Sequence, residues 1–302
     1  MSTLLGILGQ VIAPLLIIVG LGYLYERRFG PDIPSLSRLS FYILGPCLVF
    51  SGLVTTELPQ ADLVRMAVFA ALNILGVVTI GALWARLLRY EPALASAFTL
   101  GALGTNAGNY GLAVTLFAFG QQGLQQALVY FMVSAVLTGT LGVYIAARGR
   151  ASAAQALRNI LHVPLVYAVI VAVAVRLFHW QVPPAILKAT QLAGQAAVPV
   201  LLLLLGIQLA RTETNQAWGP VGWAVLIKLI VSPLLALGLL SLLRVTGLAW
   251  QVGVVQAGTP AAVTLTILAN EFDAKPRFVA TVVLVSTLVS LVTMTFILAR
   301  VM

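Results

Sequence analysis

Two apolar segments, half the chain apart, carry polar and helix-breaking residues where a continuous membrane helix would be the simple solution. Residues 104–111 read GTNAGNYG, and residues 256–260 read QAGTP. Glycine accepts backbone angles that other residues resist, and proline lacks the N–H group that a helix interior needs. Both segments are therefore predicted to interrupt their helices. Irregular backbone at membrane depth is tolerated only where protein or a water-filled cavity satisfies it.

The chemistry predicted for these breaks is the binding of an anion. If the breaks cross near the membrane midplane, the second half of each helix presents unpaired N–H groups and a positive dipole end to one point. That point suits a carboxylate, and asparagine amides could hold the same group. The candidate substrate-binding residues are Asn106, Gly108, Asn109, Tyr110, Gly111, Gln256, Gly258, Thr259, Pro260 and Lys228.

A purely structural interpretation stays open for these residues. Glycine and proline are common in membrane helices, where they kink or pack. Tyr110 could be a packing aromatic, and Thr259 could bond back to its own helix. Two breaks at corresponding positions of two halves nevertheless favour a transport site.

Lys228 is the one charge predicted deep within a span. A charge there is costly and is a functional hypothesis by default. Its ammonium could attract an anion or pair with the breaks; alternatively it could snorkel to the membrane boundary or be neutral. Asn73, also deep in a span, is either a hydrogen-bond partner between helices or a site residue. No Asp or Glu is predicted mid-span, which disfavours proton coupling through a buried carboxylate.

Composition predicts an integral membrane protein. Of 302 residues, 61% are hydrophobic and 8% charged, against about 25% charged in a soluble domain. The net charge is +9, but the basic residues stand singly or in pairs between apolar runs. That pattern is typical of topology control and not of nucleic-acid binding. We expect no cofactor and no metal site, while coupling to Na⁺ or H⁺ stays open.

The apolar runs predict an all-α protein of ten transmembrane helices, arranged as a 5+5 inverted repeat. Matches between the halves recur at similar offsets: Pro14 with Pro164, Pro46 with Pro199, and AVTL at 113–116 with AVTL at 262–265. The first repeat is 1–147, the cytoplasmic connector 148–159 and the second repeat 160–302. The predicted spans are 4–24, 36–54, 63–88, 93–119, 124–147, 160–178, 184–210, 217–243, 249–270 and 276–300.

Lysine and arginine predict the orientation in the inner (plasma) membrane of the cell, with both termini outside. The loops expected in the cytoplasm hold eleven of these residues and the opposite side five. The cytoplasmic set is Arg27, Arg28, Arg38, Arg86, Arg89, Arg148, Arg150, Arg158, Arg211, Lys275 and Arg277, and the other set is Arg65, Arg176, Lys188, Arg244 and Arg300.

Other function classes are disfavoured. An intramembrane enzyme needs a nucleophile with its base or a metal cluster, and the sequence has no His-Glu-x-x-His motif, mid-span Asp pair or Walker loop. A channel usually repeats one selectivity element by oligomeric symmetry, whereas two unlike inverted breaks favour a carrier. The nearest alternative is a sodium-coupled symporter of the bile-acid type.

The breaks resemble those of the auxin efflux carrier family, which includes plant PIN-type carriers and bacterial members. The resemblance rests on Asn106-x-x-Asn109-x-Gly111, on QAGTP at 256–260 and on ANEF at 269–272, and it covers the whole chain. Gly111 departs from the plant pattern, which has proline there, so auxin specificity is not transferred.

The resemblance implies a ten-helix fold with broken crossover helices 4 and 9, like that of NhaA-type antiporters and bile-acid symporters. It implies a scaffold of spans 1, 2, 6 and 7 and a transport unit of spans 3–5 and 8–10. Homodimers through spans 2 and 7, an elevator motion and a small organic anion as substrate follow from it as well.

Overall fold

Helices make up most of the computed structural model, which describes residues 4–147, 163–214 and 217–302. The predicted connector at 148–159 and the first residues of span 6 lie outside these ranges. The described helices are α1 (Leu4–Phe29), α2 (Ile33–Val54), α3 (Gln60–Leu87), α4 (Pro92–Leu103), α5 (Ala107–Ala146), α6 (Pro164–Leu177), α7 (Pro184–Ala210), α8 (Trp218–Leu242), α9 (Gly247–Ala257), α10 (Thr264–Glu271) and α11 (Pro276–Val301).

Seven of the described helices, α1, α2, α3, α5, α7, α8 and α11, are long and apolar enough to cross a membrane. Helices α4 and α6 are apolar but shorter. Large apolar side chains such as Ile17, Leu234 and Leu288 are exposed on the outside of the bundle. Lipid is the solvent that suits such a surface. The chain is therefore a multi-pass, all-α membrane protein, as the composition predicts.

The break in span 4 is narrower than the sequence predicts, and the break in span 9 lies slightly later in the chain than predicted. Helix α4 ends at Leu103 and α5 begins at Ala107, so Gly108 and Gly111 lie in a helical turn and not in the break. The second break separates α9 from α10. A further interruption occurs within α5 at Gly120 (φ 66°, ψ −158°), where spans 4 and 5 were predicted to meet.

One sequence match between the halves is wrong as a structural equivalence. The first AVTL run, at 113–116, lies more than one turn inside α5. The second, at 262–265, straddles the start of α10. Apolar sequences repeat such short runs by chance, so the match carried no positional information.

Prolines within long helices shape the turn before them. Proline cannot donate to the preceding turn, and its ring clashes with the carbonyl four residues earlier, so the helix widens there by one residue. The widened turns are Leu8–Ile12 before Pro14, Ser40–Leu44 before Pro46, and Ile227–Val231 before Pro233. The last of these turns contains Lys228.

Contacts at the helix ends divide the loops into two groups. Ion pairs link the loops around α1, α3, α7 and α10, whereas Arg176 at the end of α6 donates to backbone carbonyls that follow α2. The ion pairs join Glu26 to Arg211 at 2.6 Å, Glu91 to Lys275 at 2.7 Å, and Glu213 to Arg277 at 3.1 Å.

Helices α1 and α7 pack through glycines. A Cβ atom at Gly22 would lie 2.2 Å from the carbonyl oxygen of Leu203, and one at Gly206 would lie 1.9 Å from that of Val19. The two backbones are therefore in direct contact. Close approach of this kind is a main source of packing energy between helices in lipid.

We expect Gly22→Ala to lower the free energy of unfolding by about 1–3 kcal/mol, because the added methyl group must push α1 away from the backbone of α7. Thermal unfolding of the detergent-solubilised protein measures the effect. Gly20→Ala on the same helix is the matched control, since its Cβ would have no atom within 4 Å. Equal melting temperatures for the two variants would contradict this packing.

Candidate functional site

The two broken helices meet in a short antiparallel bridge between Thr105 and Ala261. The N–H group of Asn106 donates to the carbonyl of Pro260 at 2.8 Å, and the N–H group of Ala262 donates to the carbonyl of Gly104 at 3.3 Å. We call residues 104–106 and 260–262 the crossing. Each break thus satisfies part of the other's backbone hydrogen-bonding demand, as the apolar surroundings require.

Lys228 of α8 reaches this crossing. Its Nζ atom donates to Oγ1 of Thr105 at 2.7 Å, and the residue is only 1% exposed. The snorkelling alternative is therefore wrong, because the ammonium points into the protein and not to the membrane boundary. No ion pair among the described residues involves Lys228.

Asn73 is a hydrogen-bond partner between helices. Its Nδ2 atom donates to the carbonyl of Ser232 at 3.2 Å, and its Oδ1 atom accepts from the hydroxyl of Tyr130 at 3.0 Å. The Ser232 hydroxyl in turn donates to the carbonyl of Ala257, the last residue of α9, at 2.9 Å. This buried network ties α3, α5 and α8 to the end of α9.

Gln256 and Gly111 form a second link between the broken helices. The Gln256 amide is fully buried, and its Nε2 atom donates to Oγ1 of Thr115 at 3.1 Å. Its Oε1 atom lies against Gly111, where a Cβ would approach to 2.4 Å. Gly111 therefore leaves space for the Gln256 amide, which a larger residue at this position would have to displace.

The remaining predicted residues divide into buried and accessible groups. Asn106 is 3% exposed, and its Nδ2 atom has no hydrogen-bond partner in the described part of the chain. Tyr110 is fully buried, with its hydroxyl near Ser290. Gly108 and Asn109 are half-buried, so a ligand can reach them.

Residues of the second break mostly contact other parts of the protein. The Thr259 hydroxyl donates to the carbonyl of Gln256 at 2.8 Å, as the structural interpretation anticipated. Gly258 faces Ile297 closely, and Pro260 contributes its carbonyl to the crossing. Sequence reasoning missed Ser286, whose hydroxyl accepts from the N–H group of Ala261 at 3.1 Å.

Two helix N-termini begin at the crossing. The first N–H groups of α5, at Ala107, Gly108 and Asn109, precede the point where carbonyls of the same helix can accept. Helix α10 begins likewise at Thr264, which is exposed. Both helix starts therefore include residues that are at least partly exposed, and a helix start is a favourable place for an anion.

A separate cavity of about 530 Å³ lies away from the crossing. Its wall includes Glu57, Asp62 and Arg65, of which the last two form an ion pair at 3.5 Å. Glu57 forms no ion pair within the described ranges, and its negative charge makes this cavity a poor site for an anion. The cavity is lined by residues that follow α2 and by residues within 122–126 and 245–249.

A family model described as "Membrane transport protein" matches residues 8–156 and 148–298. The chain belongs to this family of membrane transport proteins. The resemblance to auxin efflux carriers is thereby confirmed, and the protein is a transporter and not an enzyme.

Proteins with similar sequences are named as transporters. One from Methanothermobacter thermautotrophicus, named "Uncharacterized transporter", is 27% identical over 94% of this chain and 95% of its own length. One from Rhizobium meliloti, named "Putative malonate transporter", is 24% identical over 94% of this chain and 93% of its own length.

We expect Gly111→Ala to displace the Gln256 amide, break its bond to Thr115 and lower the free energy of unfolding by about 1–3 kcal/mol. In a Gln256→Ala background the same substitution should cost less, with a coupling energy of about 0.5–3 kcal/mol. Thermal unfolding of the four proteins of this cycle measures the coupling. Equal costs in both backgrounds would contradict the contact.

Proposed function

We propose that the protein is a secondary carrier of small organic anions with its substrate site at the crossing. One observation carries the proposal: α5 and α10 both begin there, so two positive dipole ends and their unpaired N–H groups serve one region. The buried Nδ2 donor of Asn106, which has no partner in the described residues, adds a directed contact for a carboxylate.

The proposed substrates are small mono- or dicarboxylates, including auxin-like acids. Malonate is the first to test because a relative covering nearly the whole chain carries the name of a malonate transporter. In this assignment the N–H groups at Gly108 and Asn109 bind one carboxylate, and the Asn109 amide fixes its orientation. Neutral N–H donors bind a carboxylate less tightly than a direct ion pair would, so the anion can also be released.

Helix ends support the ten-helix inverted repeat that we propose for the fold. Left-handed residues end helices at Gly30 and His179, 149 residues apart, and at Arg89 and Arg244, 155 residues apart. Gly120 and Asp273 make a third pair, 153 apart. The family model also matches in two stretches that meet at 148–156.

The two groups of loops support the proposed orientation. The group joined by ion pairs at Glu26, Glu91 and Glu213 contains the loops with most of the basic residues, and we place it in the cytoplasm. The loops after α2, α6 and α8 then lie outside with both termini. The membrane is the inner (plasma) membrane of the cell.

We propose an elevator motion for transport. The crossing and its partners on α3, α8 and α11 form one hydrogen-bonded unit, which favours their movement as a body. Helices α1, α2, α6 and α7 would be the static scaffold. Exposed side chains such as Tyr42 on α2 and Leu192 on α7 support a homodimer through these helices.

We expect purified protein in liposomes to take up radiolabelled malonate or another small carboxylate from a panel of mono- and dicarboxylates. The double variant Asn106→Ala/Asn109→Ala should lose most of this uptake, about tenfold or more, because two amide contacts to the carboxylate disappear. Uptake assays with matched protein incorporation measure the effect.

Gln181→Ala is the control for this experiment, since it removes an exposed amide outside the proposed site. Its uptake should equal that of the wild type. Wild-type uptake by the double variant would refute the site. Failure of the wild-type protein to move any carboxylate of the panel would refute the function.

A further inference from the structure

The cavity of about 530 Å³ lies outside the proposed anion site and has no role in it. Its wall comes from the loop after α2, the first turns of α3, residues 122–126 of α5 and the start of α9. In the proposed orientation these segments lie on the outer side of the membrane. A cavity of this volume can hold a small organic molecule.

Two carboxylates and one guanidinium group line the cavity, so the formal charge of its wall is negative. Asp62 and Arg65 pair with each other at 3.5 Å. The Glu57 side chain is exposed and forms no ion pair with the described residues, so its charge is available to a ligand. An ammonium group suits this carboxylate, because hydrogen bonds between charged groups are stronger than those between neutral ones.

The start of α9 gives the same cavity a region of positive partial charge. This helix of 11 residues begins at Gly247, and no side chain of its N-cap residue accepts from its first N–H groups. Thr246, Leu248 and Ala249 at this start line the cavity. Unpaired N–H groups and the positive end of the helix dipole favour a carboxylate there.

A buried amide in the cavity wall lacks a partner. Gln126 is 3% exposed, and its Oε1 atom accepts no hydrogen bond among the described residues. A buried polar group without a partner is costly, and a ligand in the cavity would supply the missing hydrogen bond. Rotation about the last side-chain bond lets this amide either accept from an ammonium group or donate to a carboxylate.

The cavity also lies between the two units that we propose for transport. Residues 55–58 follow α2 of the proposed scaffold, whereas α3, α5 and α9 belong to the proposed transport unit. Arg176 of α6 donates to the carbonyl of Leu58 at 3.2 Å and holds the scaffold side in place. The Thr56 hydroxyl donates to Oε1 of Gln125 on α5 at 3.1 Å and links the two sides directly. A ligand that contacts both sides would oppose their relative movement.

We propose that this cavity is a regulatory site for a small zwitterion of the amino-acid type, which slows transport when it binds. The ammonium group pairs with Glu57, the carboxylate lies at the start of α9, and the Gln126 amide supplies a further hydrogen bond. Binding follows from the cavity alone, whereas the slowing of transport rests on the proposed carrier function. A dicarboxylate lacks the ammonium group, so the cavity and the crossing take different ligands.

The first test measures binding to the purified protein by the rise in melting temperature. The probes are glycine, β-alanine and γ-aminobutyrate, whose two charges lie increasingly far apart, and at least one of them should bind. The amines that lack only the carboxylate, namely methylamine, ethylamine and propylamine, should bind about tenfold more weakly or less. No shift with any zwitterion, or equal binding of the matching amine, would overturn the proposal.

Two variants locate the site. Glu57→Gln should weaken binding of the zwitterion about tenfold or more, because the amide keeps the shape of the side chain and removes its charge. Gln126→Leu should weaken it as well, and the fold should tolerate this change because it replaces an unpaired buried amide by an apolar group. Glu271→Gln is the matched control, since Glu271 is exposed and lies outside the cavity wall. Wild-type affinity in Glu57→Gln would refute the site.

The last test measures malonate uptake by liposomes in the presence of the zwitterion that binds. Uptake should fall, and more malonate should not restore it, because the two compounds occupy different sites. Unchanged uptake, or its restoration by malonate, would overturn the regulatory role. Absence of malonate uptake even without a zwitterion would count against the carrier function, while the binding measurements still decide whether the site exists.

Discussion

The fold depends on the backbone hydrogen bonds of the crossing. Two helices stop in an apolar interior, which leaves donors and acceptors that lipid cannot satisfy. The exchange between Asn106 and Pro260, and between Ala262 and Gly104, satisfies part of that demand. Ser286 of α11 and Ser232 of α8 satisfy more. The packing of neighbouring helices follows from the need to bring these groups to one place.

The same crossing separates positive and negative helix ends. Helices α4 and α9 end there against Lys228 and Ser232, in the buried interior. Helices α5 and α10 begin there, and Asn109 and Thr264 leave their starts accessible. Lys228, the one fully buried charged residue of the described part of the chain, lies on the side where α4 and α9 end.

Much of this architecture could be predicted from the sequence. Composition fixes the membrane class, and the GTNAGNYG and QAGTP runs mark both breaks. The AVTL match predicted equivalent positions in the two halves wrongly, because such short apolar runs recur by chance and do not align the two halves. The direction of the Lys228 side chain and the role of Asn73 depend on which helices pack together. The local sequence around each residue carries no information about that packing. Gly111 resembled a helix breaker, whereas its task is to leave room for Gln256.

An experimental structure with a bound small carboxylate tests the central claim most directly. We predict that a carboxylate group lies within hydrogen-bond distance of the backbone N–H groups at Gly108 or Asn109, with the Lys228–Thr105 bond intact. A ligand bound only in the cavity near Glu57 and Arg65, or one paired directly with Lys228, would contradict the account.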